Sequence, residues 1–373
     1  MSVIFLDGFD YYNGFGPGGR KWDAGSSGSF AGGRFGGQCL ITGNQRTRGM
    51  GTQITFKNLD NTIRNVDTIV LGFAMVIGGY SGAFGGPEMP SNPLLTFMDL
   101  GTPQCSLWID PTTQFLKILL GDGYGSPTVV LTTAFVPPLT LWFYLEIKLT
   151  VGTTGSIELL VDGTSIGSAS GVNLQQSGNS YCNQIAFYSF NNYSGGVQPG
   201  AWAVDDLYVV DTTDGSGSVD YLGEVRIQTK VPDANGSEIN FLRSTGLVNS
   251  NNVNILPMGF YENGYFNYSG TVGENDLYSI ANFTVSGTIF AVQENISYKK
   301  DDVGNRQVAP ILKTAAIKYI GNYVAGTEPH TLWHSCYSSY TYASQIWEIN
   351  PSTSAPWELL DLNLAEFGVK VVS

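Results

Sequence analysis

Between Leu141 and Leu149 an apolar side chain stands at every odd position (Leu141, Phe143, Leu145, Ile147, Leu149), with Glu146 and Lys148 at even ones. A period of two marks a strand with one face buried and the other partly solvated. A small polar turn, Gly152-Thr153-Thr154-Gly155, follows, then Ile157-Glu158-Leu159-Leu160-Val161 and the step Asp162-Gly163. Asp-Gly after such a run predicts a tight hairpin, because a type I′ turn needs positive φ at both central residues. A chain built around this unit folds as antiparallel sheet.

The pattern recurs. Strands are predicted over 68–77, 94–99, 105–109, 115–120, 128–135, 183–190 and 201–210, separated by Gly clusters and by Pro-rich loops at 87–93 and 137–138. Before residue 210 no i, i+3, i+4, i+7 pattern lasts three turns, so the first two hundred residues read as β. The 47 glycines and the low charged share of 13% fit many short turns between short strands. The 13% of aromatic residues argue for packed cores rather than disorder.

Asp211-Thr212-Thr213-Asp214-Gly215-Ser216-Gly217-Ser218 contains no apolar residue and reads as a linker or long surface loop. It divides the chain into a sandwich over 1–214 and a smaller β-rich domain over 215–373. Strands are predicted there over 221–229, 238–243, 277–284, 287–298 and 307–320. A short helix is predicted near 357–366, between Pro356 and Gly368.

The net charge of −13 and the lack of Lys/Arg runs longer than two exclude a nucleic-acid surface. The opening Met1-Ser2-Val3-Ile4-Phe5-Leu6-Asp7 has no basic n-region or sustained apolar stretch, so no signal peptide is expected. No apolar run approaches the ~20 residues of a membrane span. Cys39, Cys105, Cys182 and Cys336 are scattered and form no CxxC pair, which predicts small buried hydrophobes rather than a disulfide framework. The five sequons, at Asn192, Asn235, Asn267, Asn282 and Asn295, are what so much Asn, Ser and Thr produces by chance.

Two stretches resemble the concanavalin A-like (laminin-G-like) sandwich. Trp142 to Gly163 is similar to its "W-x-x-hydrophobic-E-hydrophobic" strand followed by a hairpin that ends in "hydrophobic-D-G". Ala201-Trp202-Ala203-Val204-Asp205-Asp206-Leu207-Tyr208-Val209-Val210-Asp211 resembles its closing strand. The resemblance implies that this strand pairs with the first, here Phe5-Leu6-Asp7-Gly8-Phe9-Asp10. The opening FLDGFD-Y, then Lys21-Trp22, the DDLYV-D strand and YLG-x-V-R (Tyr221 to Arg226) are together similar to structural proteins of tailed bacteriophages. The end of the chain, from Asn350-Pro351 through Trp357 to Asn363 and on to Phe367-Gly368-Val369-Lys370-Val371, also looks like those proteins. That resemblance implies a virion component of head or tail, assembled in the host bacterial cytoplasm.

Motifs of catalysis are present only as letters. Gly14-Phe15-Gly16-Pro17-Gly18-Gly19 fits G-x-G-x-x-G, but Pro17 and the glycines that follow forbid the helix that a dinucleotide needs. Gly163-Thr164-Ser165-Ile166-Gly167 fits G-x-S-x-G, yet it continues a β-hairpin instead of linking a strand to a helix. His330 and His334, near Glu328 and Cys336, would share one face of a helix and suit a metal. Their surroundings favour loop or strand, where such positions lie roughly 13 Å apart. Glu146 and Glu158 are single acids and read as solvent-face residues, with no E-x-D-x-x-E cluster of the glycosidase kind. Asp205 and Asp206 alternate along one strand and so point to opposite faces; a hydrogen-bonded structural role is favoured over loop capping or Ca²⁺ binding.

No catalytic, cofactor or metal site is therefore expected, and the chain reads as a non-enzymatic virion structural protein. The alternatives are a glycan-binding adhesin and, less favoured, a polysaccharide-degrading enzyme. The Tyr-rich stretches Tyr261, Tyr265, Phe266, Tyr268 and Tyr337, Tyr340, Tyr342 are the candidate functional surface, with half-buried sheet residues as the equal alternative. Expected partners are other virion proteins, copies of the chain itself (a trimer) and a host surface glycan, with no nucleic acid and no membrane.

Overall fold

The computed structural model describes residues 2–12, 21–25, 28–41, 50–58, 62–78, 93–188, 202–213, 221–254, 264–284, 287–300, 307–321, 334–335 and 341–372. Two compact units divide the chain, Met1–Asn58 with Thr62–Gln228, and Leu59–Asn61 with Thr229–Ser373.

The first unit opens with β1 (Ser2–Asp7), β2 (Ala24–Gly25), β3 (Gly28–Ala31), β4 (Gln38–Ile41) and β5 (Met50–Thr55). Next come β6 (Thr68–Ile77), β7 (Leu95–Asp99), β8 (Thr102–Ile109), β9 (Leu116–Leu120) and β10 (Val129–Thr132). It closes with β11 (Phe143–Thr150), β12 (Gly155–Val161), β13 (Thr164–Val172), β14 (Gln184–Tyr188) and β15 (Trp202–Asp211). These strands make the expected antiparallel sandwich. The first sheet runs β13-β12-β11-β6-β15-β4-β3, with β1 also paired to β15, and the second runs β10-β9-β8-β7-β14-β5-β2.

Alternation decides which side chains fill the space between the sheets. On β11, Phe143, Leu145, Ile147 and Leu149 stand opposite Met75, Phe73, Leu71 and Ile69 of β6. Phe73 then meets Phe187 of the second sheet edge-on at 5.4 Å, and Trp22 and Trp202 pack on the same ring. Burying each such ring contributes roughly 1.5–3 kcal/mol. The Asp162-Gly163 hairpin forms as its letters predict, with φ of +48° and +75°. The closing strand pairs with the opening one, Phe5 opposite Val209 and Asp7 opposite Leu207.

The segment 221–229 corrects the expectation of a strand. It crosses the outer face of the first sheet without pairing, its backbone amides held by side chains: Leu222 N donates to the Tyr208 hydroxyl at 3.1 Å, Gly223 N to Glu146 at 2.8 Å and Ile227 N to Asp206 at 2.6 Å. Residues up to Gln228 thus belong with the sandwich, beyond the division expected at 214/215.

The second unit contains β16 (Pro232–Ile239), β17 (Leu242–Arg243), α1 (Asn249–Val253), β18 (Asn267–Tyr268), β19 (Asn275–Ile280) and β20 (Val292–Tyr298). After these come β21 (Gln307–Thr314), β22 (Ile317–Ile320), β23 (His334–Ser335), β24 (Thr341–Trp347), α2 (Leu359–Leu364) and β25 (Glu366–Val371). A sheet β16-β19-β25-β21-β22, with β23 on β21, is joined by the pairs β17-β18 and β20-β24. The predicted helix near 357–366 is α2, packed through Leu362 against Trp347, Trp357 and Leu312. The run 307–320, read as one strand, is a hairpin that turns at Ala315-Ala316 with φ of +48° and +66°. Among the described residues no helix is long and apolar enough to cross a membrane.

Candidate functional site

The acids singled out in the sequence lie on the outer face of the first sheet, and two of their assignments are corrected. Glu146 is buried, not solvated: the Tyr208 hydroxyl donates to it, and the segment carrying Gly223 covers it. Burial raises its pKa against those two hydrogen bonds. Glu158 is partly buried and accepts from the Tyr221 hydroxyl at 3.0 Å.

Asp205 and Asp206 do not point to opposite faces. The register of β15 against β6 shifts between Asp205 and Tyr208, and Asp206 adopts a φ of +50°, a bulge that ends the simple alternation. Asp205 Oδ1 accepts from Asp206 N at 2.8 Å and Oδ2 from Arg34 N at 2.8 Å, while Arg34 Nη1 lies 3.7 Å from Asp206 Oδ2. Asp10 joins them by accepting from Gln38 N at 2.8 Å. A Cβ on Gly33 would stand 2.9 Å from Asp205 Oδ2 and one on Gly37 2.9 Å from Asp10 Cγ, so the glycine-rich loop 32–37 closes on carboxylates that leave no room for side chains. Burial raises all three acids, and the charge of Asp206 adds to the effect on Asp205. The three acids form a hydrogen-bonded cluster, with Arg34 against Asp206 and the charge of Arg226 also acting on Asp10 and Asp206.

Ser165 lies exposed on β13 within a hairpin, without the strand-to-helix elbow of a nucleophile. His334 stands on β23 opposite Val308, in a strand and not on a helix. Gly14 to Gly19, Glu328, His330, Cys336, Tyr261, Tyr337 and Tyr340 lie outside the described residues. Cys39, Cys105 and Cys182 are buried as thiols, outside any disulfide. Tyr265, Phe266 and Tyr268 are 40%, 39% and 47% exposed, on and beside β18, and Tyr342 is partly buried on β24. Among the described residues no His, Cys, Asp and Glu side chains gather as a metal set.

A different surface, on the outer face of the second sheet, combines aromatic and polar groups. On β8, Cys105, Leu107 and Ile109 face the core, which turns Ser106 and Trp108 outward. The Trp108 indole donates to Ser106 Oγ at 3.0 Å and meets the Tyr124 ring edge-on at 5.6 Å. Lys117 stands opposite Trp108 on β9 and is ion-paired with Asp110. Tyr188 of β14 lies on the same face beside Thr96 and within reach of the charge of Asp122; burial raises its hydroxyl's pKa most. Thr96, Ser106 and Ala186 form a closed floor, while Trp108, Lys117, Asp122 and Tyr124 keep contact with solvent. Such a surface offers a ring for stacking with hydroxyl, carboxylate and ammonium groups beside it. In the sequence Trp108 passes for a core aromatic; the available signal is its place in the alternation of β8, in phase with Ser106.

No protein-family model and no curated protein matches the chain. Among solved structures it is similar to the alginate lyase Aly36B (TM-score 0.37, 8% identity, covering 55% of this chain and 95% of that one). It is also similar to an endo-β-1,4-glucuronan lyase from the fungus Trichoderma reesei (TM-score 0.37, 14% identity, 56% and 95%). A third is domain 4 of AbnA, an extracellular arabinanase from Geobacillus stearothermophilus, in complex with arabinotriose (TM-score 0.35, 13% identity, 56% and 91%). Likeness of this size concerns the fold alone. The expectation of a chain without enzymatic activity is corrected here, since lyases stand among these structures.

Proposed function

We propose that the first unit binds an oligosaccharide on the outer face of its second sheet, with the Trp108–Tyr124 pair as the stacking platform. One observation carries the reading: a tryptophan fixed by its own indole hydrogen bond and a second ring, still open to solvent, beside charged and hydroxyl groups. Rings of this kind cover the apolar face of a sugar while neighbouring polar groups take its hydroxyls. Lys117 is neutralised by Asp110 and the chain carries a net charge of −13, which favours a neutral saccharide over a polyuronate.

The solved structures supply the probes: arabinan, alginate and glucuronan oligosaccharides, tested by calorimetric titration against the full chain. Binding to arabino-oligosaccharides that falls at least tenfold in Trp108→Ala and persists in Ser165→Ala is the expected result. Equal affinity in Trp108→Ala and Tyr124→Ala would move the site elsewhere. Incubation with the parent polysaccharides, with chain length read by gel filtration, decides whether the bound chain is also cleaved.

A second reading concerns the setting, a tailed-phage particle that meets a host glycan through this face. It rests on the sequence resemblance and on one observation: the separate pieces that carry it are in contact, β1 on β15 and the Tyr221–Arg226 segment on Tyr208. Within that reading copies of the chain associate through the second unit, where Leu242, Tyr265, Phe266 and Tyr268 are exposed. Light scattering on the full chain tests this association: a trimer is expected, and a monomer at micromolar concentration would remove it.

A further inference from the structure

We propose that Lys21 and Asp7 are joined by an amide bond between Nζ and Cγ, formed inside the folded first unit with loss of one water molecule. The two side chains meet in a closed site: Nζ lies 3.9 Å from Asp7 Oδ2, with side-chain exposures of 5% and 0%. Nζ has no hydrogen-bond partner. It sits instead 4.4 Å from the centre of the Phe5 ring and 5.9 Å from that of Tyr11. A buried ammonium is ordinarily held by hydrogen bonds to acceptors, and one left against rings keeps much of its desolvation cost.

The carboxylate is positioned as the reaction requires. Oδ1 accepts from Phe9 N at 2.9 Å. Oδ2 accepts from the Tyr12 hydroxyl at 2.7 Å, the Trp22 indole at 2.8 Å and the Tyr11 hydroxyl at 3.4 Å, and the two tyrosine hydroxyls are 2.9 Å apart. Oδ1 is thereby fixed as the oxygen that stays and becomes the amide carbonyl. Oδ2, ringed by donors, is the one that leaves.

The step balances without a co-reactant. The ammonium gives up a proton, the free pair on Nζ adds to Cγ, and the Cγ–Oδ2 bond breaks. Oδ2 departs as water with two of the three Nζ protons, and the third stays on the amide nitrogen. The donors on Oδ2 stabilise the charge that grows there as the bond breaks. Burial lowers the Lys21 pKa to about 8 against the pull of Asp7, so part of the amine is neutral near pH 7. Two buried charges are replaced by a neutral amide, and the released water is lost from a site that excludes solvent; both displace the equilibrium away from hydrolysis.

Mass spectrometry of the full chain tests the bond. The intact denatured wild-type protein is expected one water lighter than its sequence dictates. Protease peptides bearing Asp7 and Lys21 should appear as one branched species, whose fragmentation places the link between those residues. Lys21→Arg and Asp7→Ala should each restore the sequence mass. An unmodified wild-type mass overturns the proposal, as does a water loss that persists in Lys21→Arg or maps elsewhere. The wild-type reading stands by itself should a variant fail to fold.

Discussion

Tyr208 stands opposite Gly72 on the neighbouring strand, and its ring lies over that glycine so closely that a Cβ on residue 72 would be 2.5 Å from Cζ. The ring's position lets its hydroxyl reach Glu146 and accept from Leu222 N, which ties the 221–228 segment to the sheet. Gly72→Ala is expected to push the ring off the sheet and cost about 1–3 kcal/mol, read by urea denaturation. The same variant should be cut by protease within 221–228 earlier than the wild type. Unchanged stability and unchanged cutting would mean that the ring does not rest on Gly72.

The acids under that segment give the first unit a distinctive pH dependence. Burial raises Asp205 from 3.8 to about 8 and Asp206 to about 6. Acids whose pKa is higher folded than unfolded contribute stability that is fully present below the unfolded value and is lost as pH rises through the folded one. The melting temperature of this unit is therefore expected to fall between about pH 4 and about pH 8, and Asp205→Asn should flatten the slope. Calorimetric scans across that range decide the matter. A melting temperature that climbs over the interval would show Arg34 to outweigh burial.

How much of this was legible in the residues depends on where each answer was stored. Local pattern carried the strands of the sandwich and the turn at Asp162-Gly163, because alternation and positive φ are written in neighbouring letters. Asp205 and Asp206 defeat the same rule: a bulge shifts the side-chain phase by one residue, and nothing in Val204 to Tyr208 announces it. Glu146 reads as solvated because its cover comes from Gly223, far along the chain. The segment 221–229 reads as a strand, yet side chains of the sheet take its amides and leave no ladder to form. The turn at Ala315-Ala316 carries no Asn-Gly or Asp-Gly signal, so 307–320 reads as one strand. Trp108 was missed for another reason: alternation puts it in phase with Ser106, and the burial of Leu107 and Ile109 in the packed sheet decides that this phase faces outward.

The saccharide platform depends on a residue without a side chain. Gly123 has a φ of +78°, and a Cβ there would lie 2.6 Å from Trp108 Cε2. Gly123→Ala is expected to displace the indole and weaken oligosaccharide binding about tenfold, with a stability loss of about 1 kcal/mol. Titration beside a thermal melt separates the two effects. Full affinity in this variant would mean that the Trp108 position is not what binds.

One buried carboxylate of the second unit ties several of its segments together. Asp276 is fully enclosed and accepts five hydrogen bonds: Asn240 N at 2.9 Å and Phe241 N at 2.7 Å on Oδ1, and Asn249 Nδ2 at 2.7 Å, Tyr278 OH at 2.9 Å and Asn267 Nδ2 at 3.4 Å on Oδ2. These bonds connect the turn after β16, helix α1, β18 and β19. Asp276→Ala strands several buried donors at once, and each unsatisfied group costs about 1–3 kcal/mol before relaxation. A loss of about 3–5 kcal/mol is expected for this unit, with the sandwich transition unmoved. Hydrogen exchange followed by mass spectrometry reads the two units separately. Faster exchange confined to residues 240–278 would agree with this role, and protection equal to the wild type there would assign the stability of the region to its apolar contacts instead.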